Sequence, residues 1–334
     1  MLADTPLPQP TTIQQLASAV YPSFAMLAGM QLDVFTPLQE GPLTAAQLVA
    51  VLGVHMEKLS RLLYALVIAG LLTVDGDRFA NTPEAQQFLV KGQSTYLGGR
   101  HENFSEVWEN LLHTAETIRT GVPQCKKDFA ATSPEDQMHF FRGLHPGTLA
   151  NGRVLATRDD FSPYTTLADV GGGSRGMALA LTEAYPHLQA TVIDLPTVTP
   201  ITQRFLAEAG ATDRIQVVAA DVVHAPVPGT YDVAVVRSLL QVLSPEDAMQ
   251  ALTHIGAALH PGGRLYIVGR ILDDSRLAPV DTVGFNVVFL NIFDEGRAYT
   301  EGEHRTWLTA AGFAEIARVP LPEGVSIMTA RKHV

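Results

Sequence analysis

The sequence predicts an α/β protein: a doubly wound, mostly parallel sheet closed by a C-terminal antiparallel hairpin, preceded by a mostly helical domain. Three observations predict it. From Thr165 onward, short apolar runs alternate with helical patterns, the signature of strand–helix–strand units. Upstream, Thr11 to about Ala130 reads as mostly helix. The 334 residues exceed what a single core usually supports, so two domains are expected.

The elements follow in order. Residues 1–10 carry three prolines and read as a loose arm. Leu59, Leu62, Leu63 and Leu66 recur at i, i+3, i+4 and i+7, which makes one apolar helix face. Gly70 ends that helix, and Leu71–Val74, Asp75-Gly76-Asp77 and Arg78–Ala80 read as a small hairpin. Helices followed by such a wing are the pattern of a winged helix. Asn103 to Gly121 is again helical. In the second part, Thr166–Val170, Ala190–Asp194, Ile215–Ala219, Tyr231–Val236 and Arg264–Val268 read as strands. Ser174–Tyr185, Thr199–Ala209 and Pro245–Leu259 read as the helices between them. In the tail, Glu303–Ala311 is helical and capped by Gly312, and strands Ala314–Val319 and Val325–Arg331 flank Pro322-Glu323-Gly324.

Composition excludes several functions. Hydrophobic residues make up 46% and charged residues 17%, so the chain is not mainly disordered. Acidic residues outnumber basic ones 34 to 23, which disfavours a grip on nucleic-acid phosphates. Residues 1–100 hold five Lys or Arg (Lys58, Arg61, Arg78, Lys91, Arg100) against seven acids, so a packing or dimerisation module is preferred to a DNA reader. The one cysteine, Cys125, excludes an internal disulfide framework and fits a reduced, cytoplasmic setting. The N-terminus has neither basic residues nor an apolar run, so no signal peptide is expected. Apolar stretches such as Tyr64–Val74 fall short of the roughly 18 residues a membrane span needs. No His-x-x-x-His spacing is present, and no catalytic metal is expected.

The segment Asp169-Val170-Gly171-Gly172-Gly173-Ser174-Arg175-Gly176 follows the first strand of the second part and opens its first helix. Glycines there let a ligand approach the backbone. Gly171, Gly173 and Gly176 also fit the dinucleotide fingerprint, so the loop alone is weak evidence. Three acids narrow the choice. Asp169, just before the glycines, would repel a pyrophosphate but suits the ammonium of S-adenosylmethionine (SAM). Asp194 ends the second strand and can take two ribose hydroxyls. Asp221 follows the third strand and can accept from an adenine amino group. Acids at three successive strand ends, at the sheet's switch point, favour SAM over a nicotinamide cofactor.

These residues, with Asp194-Leu195-Pro196, Ala220-Asp221, Pro261-Gly262-Gly263 and Ala311-Gly312-Phe313, resemble the class I SAM-dependent O-methyltransferases of the caffeate, acetylserotonin and anthracycline type. The resemblance covers nearly the whole chain. It implies a SAM-methyltransferase Rossmann-like domain over residues 161–334 and a winged-helix dimerisation domain over 11–130. Linking helices over 131–160 would line the substrate cavity. It implies a homodimer through the N-terminal domain, and cofactor contacts from Asp169, Gly171, Gly173, Asp194, Leu195, Asp221, Val222 and Arg237. S-adenosylhomocysteine (SAH) would be the product.

One departure stands out. The plant-type enzymes carry a histidine base after the fourth strand, and Gln241 occupies that place here. An amide does not titrate, so Gln241 cannot remove a proton. Gly269 and Gly296 stand where acids would orient that histidine. Methyl transfer by proximity, aided by Gln241, is then the expected chemistry. SAM-assisted hydroxylation or decarboxylation, and a non-catalytic SAM sensor, are the alternatives. His145 is the spare base candidate. Phe285, Asn286, Phe289 and Asn291 are candidates for gripping a small-molecule acceptor, since amides in an apolar run need partners.

Overall fold

A computed structural model describes residues 8–93, 95–126, 132–210 and 213–333. Most of the expected arm over residues 1–10, and the expected boundary near residue 130, fall outside the described residues. The chain forms two compact units that meet in sequence at Ser105 and Glu106.

The first unit opens with α1 (Thr11–Ser18) and α2 (Val20–Gln31). A short strand β1 (Leu43–Thr44) leads into α3 (Ala45–Leu52), where Thr44 and Gln47 form a reciprocal capping box. Helix α4 (Met56–Ile68) buries Leu59, Leu63 and Leu66, as its periodicity requires. Strands β2 (Leu72–Asp75) and β3 (Arg78–Asn81) turn through Gly76 and Asp77, and β1 joins β3 to complete a three-stranded sheet. Helix α5 (Pro83–Phe88) follows, and α6 (His101–Leu111) spans the division between units.

The helical reading from Asn103 to Gly121 resolves into α6 and a separate α7 (Thr114–Thr120). Thr114 Oγ1 donates to Leu111 O and competes with the helix ladder at the break. The expected linking helices over 131–160 are one 25-residue helix, α8 (Pro134–Arg158), which runs through Pro146. Ser133 caps it, accepting from the Asp136 N–H, and Pro134 starts it.

The second unit then alternates: β4 (Thr166–Val170), α9 (Gly176–Ala184), β5 (Gln189–Asp194), α10 (Thr199–Ala209), β6 (Ile215–Ala219), β7 (Tyr231–Arg237), α11 (Pro245–Ala258) and β8 (Leu259–Arg270). Helices α12 (Val280–Ile292) and α13 (Glu301–Ala310) precede the hairpin β9 (Phe313–Pro320) and β10 (Val325–Lys332). The sheet order is β6-β5-β4-β7-β8-β10-β9, with β10 antiparallel to both neighbours. Alternation along β7 divides the core. Val233 and Val235 face one cluster with Leu155, Met177 and Tyr266, while Ala234 and Val236 face another with Leu252, Ile255 and Trp307. The chain leaves β4 toward β5 and returns to β7 on β4's other side, so a crevice opens at the carboxyl ends of β4 and β7. Helix α8 is pressed onto α9 beside that crevice. A Cβ on Gly152 would lie 2.7 Å from Ala180, and one on Gly176 would lie 2.8 Å from the Leu149 nitrogen.

Candidate active site

The glycine loop lies at the carboxyl end of β4. The chain turns through Gly171 (φ 67°) and Gly173 (φ 45°), a region where side chains are strained. Contact also excludes them: a Cβ would meet the Phe141 ring at 2.5 Å from Gly173, Val192 at 2.7 Å from Gly172, and Leu239 at 3.3 Å from Gly171. Thr202 Oγ1 donates to Gly173 O at 2.6 Å and anchors the loop to α10. Asp194 ties it to β5, since its Oδ2 accepts the Gly173 N–H and its Oδ1 the Leu195 N–H, both at 2.8 Å.

Asp169 is fully buried. Its Oδ2 accepts the Ala178 N–H at 3.0 Å, and its Oδ1 has no partner. Burial pushes its pKa up to about 7, the Ala178 bond opposes this, Asp194 adds to it and Arg237 opposes it. Burial likewise pushes Asp194 up to about 6 against its two backbone bonds. Asp221 caps the turn after β6, accepting from the Val223 N–H at 3.1 Å and meeting His224 Nδ1 at 3.0 Å. Burial works upward on it, but the His224 and backbone bonds prevail and hold it below the usual range. Its side chain is 43% exposed and sits at the rim. The Val222 side chain is buried in the core with Leu240 and Ala248, which leaves its backbone for the expected ligand contact. Arg237 ends β7, and its Nε donates to Asn151 Oδ1 of α8 at 3.1 Å.

The turn after β7 carries Gln241. Its Oε1 accepts the Arg270 N–H at 3.1 Å. A Cβ on Gly269 would lie 3.1 Å from that same oxygen, and one on Gly296 would lie 2.9 Å from the Gln241 carbonyl. Positions 241, 269 and 296 therefore touch. The glutamine side chain fills the space that a side chain at 269 would need, whereas a side chain at 296 would meet the backbone of the Gln241 turn. Leu239, two residues earlier, lies against Gly171, so the turn borders the glycine loop.

His145 lies on α8. It stacks on Phe205 of α10 with centroids 5.5 Å apart. Burial, and Arg175 nearby, lower its pKa, and its Nδ1 is buried without a partner. The ring packs on α10 and bonds the Ser174 backbone of the glycine loop, so the expected base lies beside the cofactor loop and is held there by packing. Asn291 corrects an expectation. It is 0% exposed, its Oδ1 accepts from Thr117 Oγ1 at 2.8 Å, and its Nδ2 donates to Thr114 Oγ1 at 3.0 Å. It joins α12 to α7 and has no amide group left for a ligand. Asn286 Oδ1 is taken by the Ala298 N–H at 2.8 Å. Phe289 is buried with Leu272 and Ala298. Phe285 is half-buried and carries the Arg270 guanidinium 4.1 Å over its ring. A cavity of about 480 Å³ lies beside Val242–Ser244 and Phe293–Glu295, and none of the expected cofactor residues lines it.

A family model for the O-methyltransferase domain matches residues 117–314, and one for the O-methyltransferase dimerisation domain matches residues 14–91. The chain belongs to the O-methyltransferase family. It is 31% identical to the tetracenomycin polyketide synthesis 8-O-methyltransferase of Streptomyces glaucescens, over 92% of each chain. It is 29% identical to the 3-hydroxy-5-methyl-1-naphthoate 3-O-methyltransferase of Streptomyces sahachiroi, over 93% of this chain and 91% of that one. The fold matches human N-acetylserotonin methyltransferase in complex with SAM, with a TM-score of 0.84 and 22% identity over the full length of both. The O-methyltransferase is thus a SAM-dependent enzyme, and the hydroxylase, decarboxylase and sensor alternatives gain no support from these relatives.

The site of this O-methyltransferase fits SAM on its own geometry. Asp169 presents an orphaned carboxylate oxygen, and the loop is a cradle from which side chains are excluded. Sequence reasoning missed the residues that build this cradle from a distance: Phe141, Thr202 and Leu239. None carries a motif, and only the fold brings them to the loop. It also missed Arg175, which is 2% exposed with φ 59° and lies 5.8 Å over the Phe205 ring.

Proposed function

We propose that this O-methyltransferase methylates an oxygen of a small aromatic acceptor by positioning, without a general base at residue 241. One observation carries the reading: the Gln241 amide is locked onto the Arg270 N–H, with Gly269 and Gly296 packed where orienting acids would stand. Bound SAM supplies a methyl group on a positively charged sulfur. Asp169 Oδ1 would receive the methionine ammonium. Asp194 keeps free lone pairs that would serve the ribose hydroxyls after its two backbone bonds, and Asp221 at the rim would meet the adenine. Arg237, steadied by Asn151, borders the Asp169 pocket. The turn from Leu239 to Gln241 borders the acceptor. Holding acceptor and methyl in line supplies about 7–11 kcal/mol of the barrier reduction. The names of the relatives, an 8-O-methyltransferase of polyketide synthesis and a naphthoate 3-O-methyltransferase, support an aromatic hydroxyl as the target.

The test incubates the protein with SAM and hydroxynaphthoates and follows product mass. Gain of one methylene with release of SAH supports the reading, and SAM turnover without that gain refutes it.

The first unit is read as a winged-helix dimerisation domain that forms a homodimer. Ile13, Leu16 and Tyr21 on α1 and α2 are each about 70% exposed, an apolar face that a second copy would cover. Leu16→Glu combined with Tyr21→Glu is expected to give a monomer by light scattering, and an unchanged mass would refute the reading. Among the described residues no helix is long and apolar enough to cross a membrane. The single cysteine supports a cytoplasmic setting.

A further inference from the structure

His254 of α11 reaches back to the turn after β6. Its Nδ1 lies 2.8 Å from the Val222 carbonyl, 32 positions earlier in the chain. A carbonyl oxygen only accepts, so Nδ1 carries the proton and Nε2 of the neutral ring is the acceptor. Gln250, one turn earlier on the same helix, lies 2.9 Å from that Nε2 and donates an amide N–H to it. The Val222 carbonyl and the Val223 N–H belong to one planar peptide. That N–H donates to Asp221 Oδ1 at 3.1 Å. The peptide is therefore held at both ends, by the imidazole on one side and by the carboxylate on the other. Asp221 Oδ2 meets His224 Nδ1 at 3.0 Å, but His224 is 78% exposed and that bond competes with water. The Asp221 carboxylate thus takes its direction from a peptide that His254 fixes. The Val222 side chain shares a core cluster with Ala248, Ala251 and Ile255 of α11, so imidazole and turn belong to one packed body. The Val222 N–H has no acceptor among the described residues.

We propose that His254 is a positioning residue for the cofactor base: through the peptide between Val222 and Val223 it aims the Asp221 carboxylate at an adenine amino group, and so sets the preference for adenine over its deaminated form, hypoxanthine. The inference deepens the SAM reading above and rests on it. Adenine offers an exocyclic N–H to Asp221 and a ring-nitrogen lone pair to the Val222 N–H. Hypoxanthine reverses both groups. Its carbonyl would face the carboxylate, acceptor against acceptor, and its ring N–H would face the Val222 N–H, donor against donor. The penalty is steep only while carboxylate and peptide are held in place, because a carboxylate free to rotate turns out to water.

The test uses the full-length protein and two ligands, SAH and its deaminated analogue S-inosylhomocysteine, with dissociation constants measured by calorimetry. Wild type is expected to prefer SAH by about 100-fold. His254→Leu should weaken SAH about tenfold and the analogue less than about twofold, the size of one charge-assisted hydrogen bond. His254→Asn should restore the preference to within about threefold of wild type, because its amide nitrogen stands as many bonds from the backbone as Nδ1 does. His254→Gln, whose amide stands one bond further out, should not. In an Asp221→Ala background, His254→Leu should change the preference less than about twofold, since the effect runs through that carboxylate. Long-range proton–nitrogen NMR of ligand-free wild type, with the His254 signal assigned by its loss in His254→Asn, should show the proton on Nδ1. The NMR and the Asn and Gln variants decide the matter even where His254→Leu does not fold. A merely structural His254 would lower the melting temperature in its variants and leave the preference unchanged. That outcome, a proton on Nε2, or SAH binding in wild type with no preference over the analogue would overturn the inference. Failure of wild type to bind SAH would instead overturn the function proposed above, and this inference with it.

Discussion

Asp169→Asn isolates the carboxyl that burial holds near a pKa of about 7. In the unfolded chain the same group ionises near its ordinary 3.8. The gap of about three pKa units corresponds to roughly 4 kcal/mol of stability that the ligand-free protein lacks above about pH 7. The sign follows from proton binding. Between about pH 4 and 7 the folded protein keeps a proton that the unfolded chain has lost, so stability falls as pH rises through that window and then levels. Asparagine carries no such proton, so the variant is expected to melt higher than wild type near pH 8 and to lose the Asp169 part of this pH dependence, while the part below about pH 6 that comes from buried Asp194 remains. Cofactor binding acts the other way. A methionine ammonium at Oδ1 favours the ionised carboxylate, so SAM binding should release a proton below about pH 7, and affinity should fall about tenfold per pH unit there. Thermal melts of ligand-free protein, and calorimetry in two buffers of different ionisation enthalpy, read both effects. An Asn variant less stable than wild type near pH 8, or SAM affinity that is flat between about pH 5 and 7, would refute the reasoning.

Asp194→Ala removes both anchors of the Gly173 and Leu195 amides and the ribose acceptor, and SAM affinity is expected to fall at least about 100-fold by calorimetry. Gly173→Ala would set a Cβ 2.5 Å from Phe141 at a φ of 45°, so cofactor binding should be lost, whereas Gly284→Ala, with nothing within 4 Å, should bind normally. Asn291→Ala breaks the joint to Thr117 and Thr114 and should lower stability by about 2–3 kcal/mol in urea titrations, with SAM affinity unchanged. A loss of acceptor affinity at intact stability would restore Asn291 as a ligand contact.

The strand–helix alternation was legible because each element carries its own period. Thr166–Val170, Thr199–Ala209 and Ile215–Ala219 form with the bounds the sequence suggests. The glycine loop was legible because close approach and positive φ demand glycine whatever surrounds it. Asp169 was legible as chemistry, but its elevated pKa comes from enclosure that no spacing encodes. The α12 amides show the limit. An Asn in an apolar run announces a need for partners without saying which. Asn291 finds Thr117, 174 positions away in the chain, and so becomes a joint.

By itself, the order of residues determined the layers, the loop and the acids at the strand ends, since these depend on local conformation and side-chain chemistry. Folding decided what each polar group touches. It stacked His145 on Phe205, turned Asn291 inward, and tied the Gln241 amide oxygen to the Arg270 N–H. Those outcomes depend on contacts between residues remote in the chain, where one hydrogen bond turns a candidate ligand contact into packing.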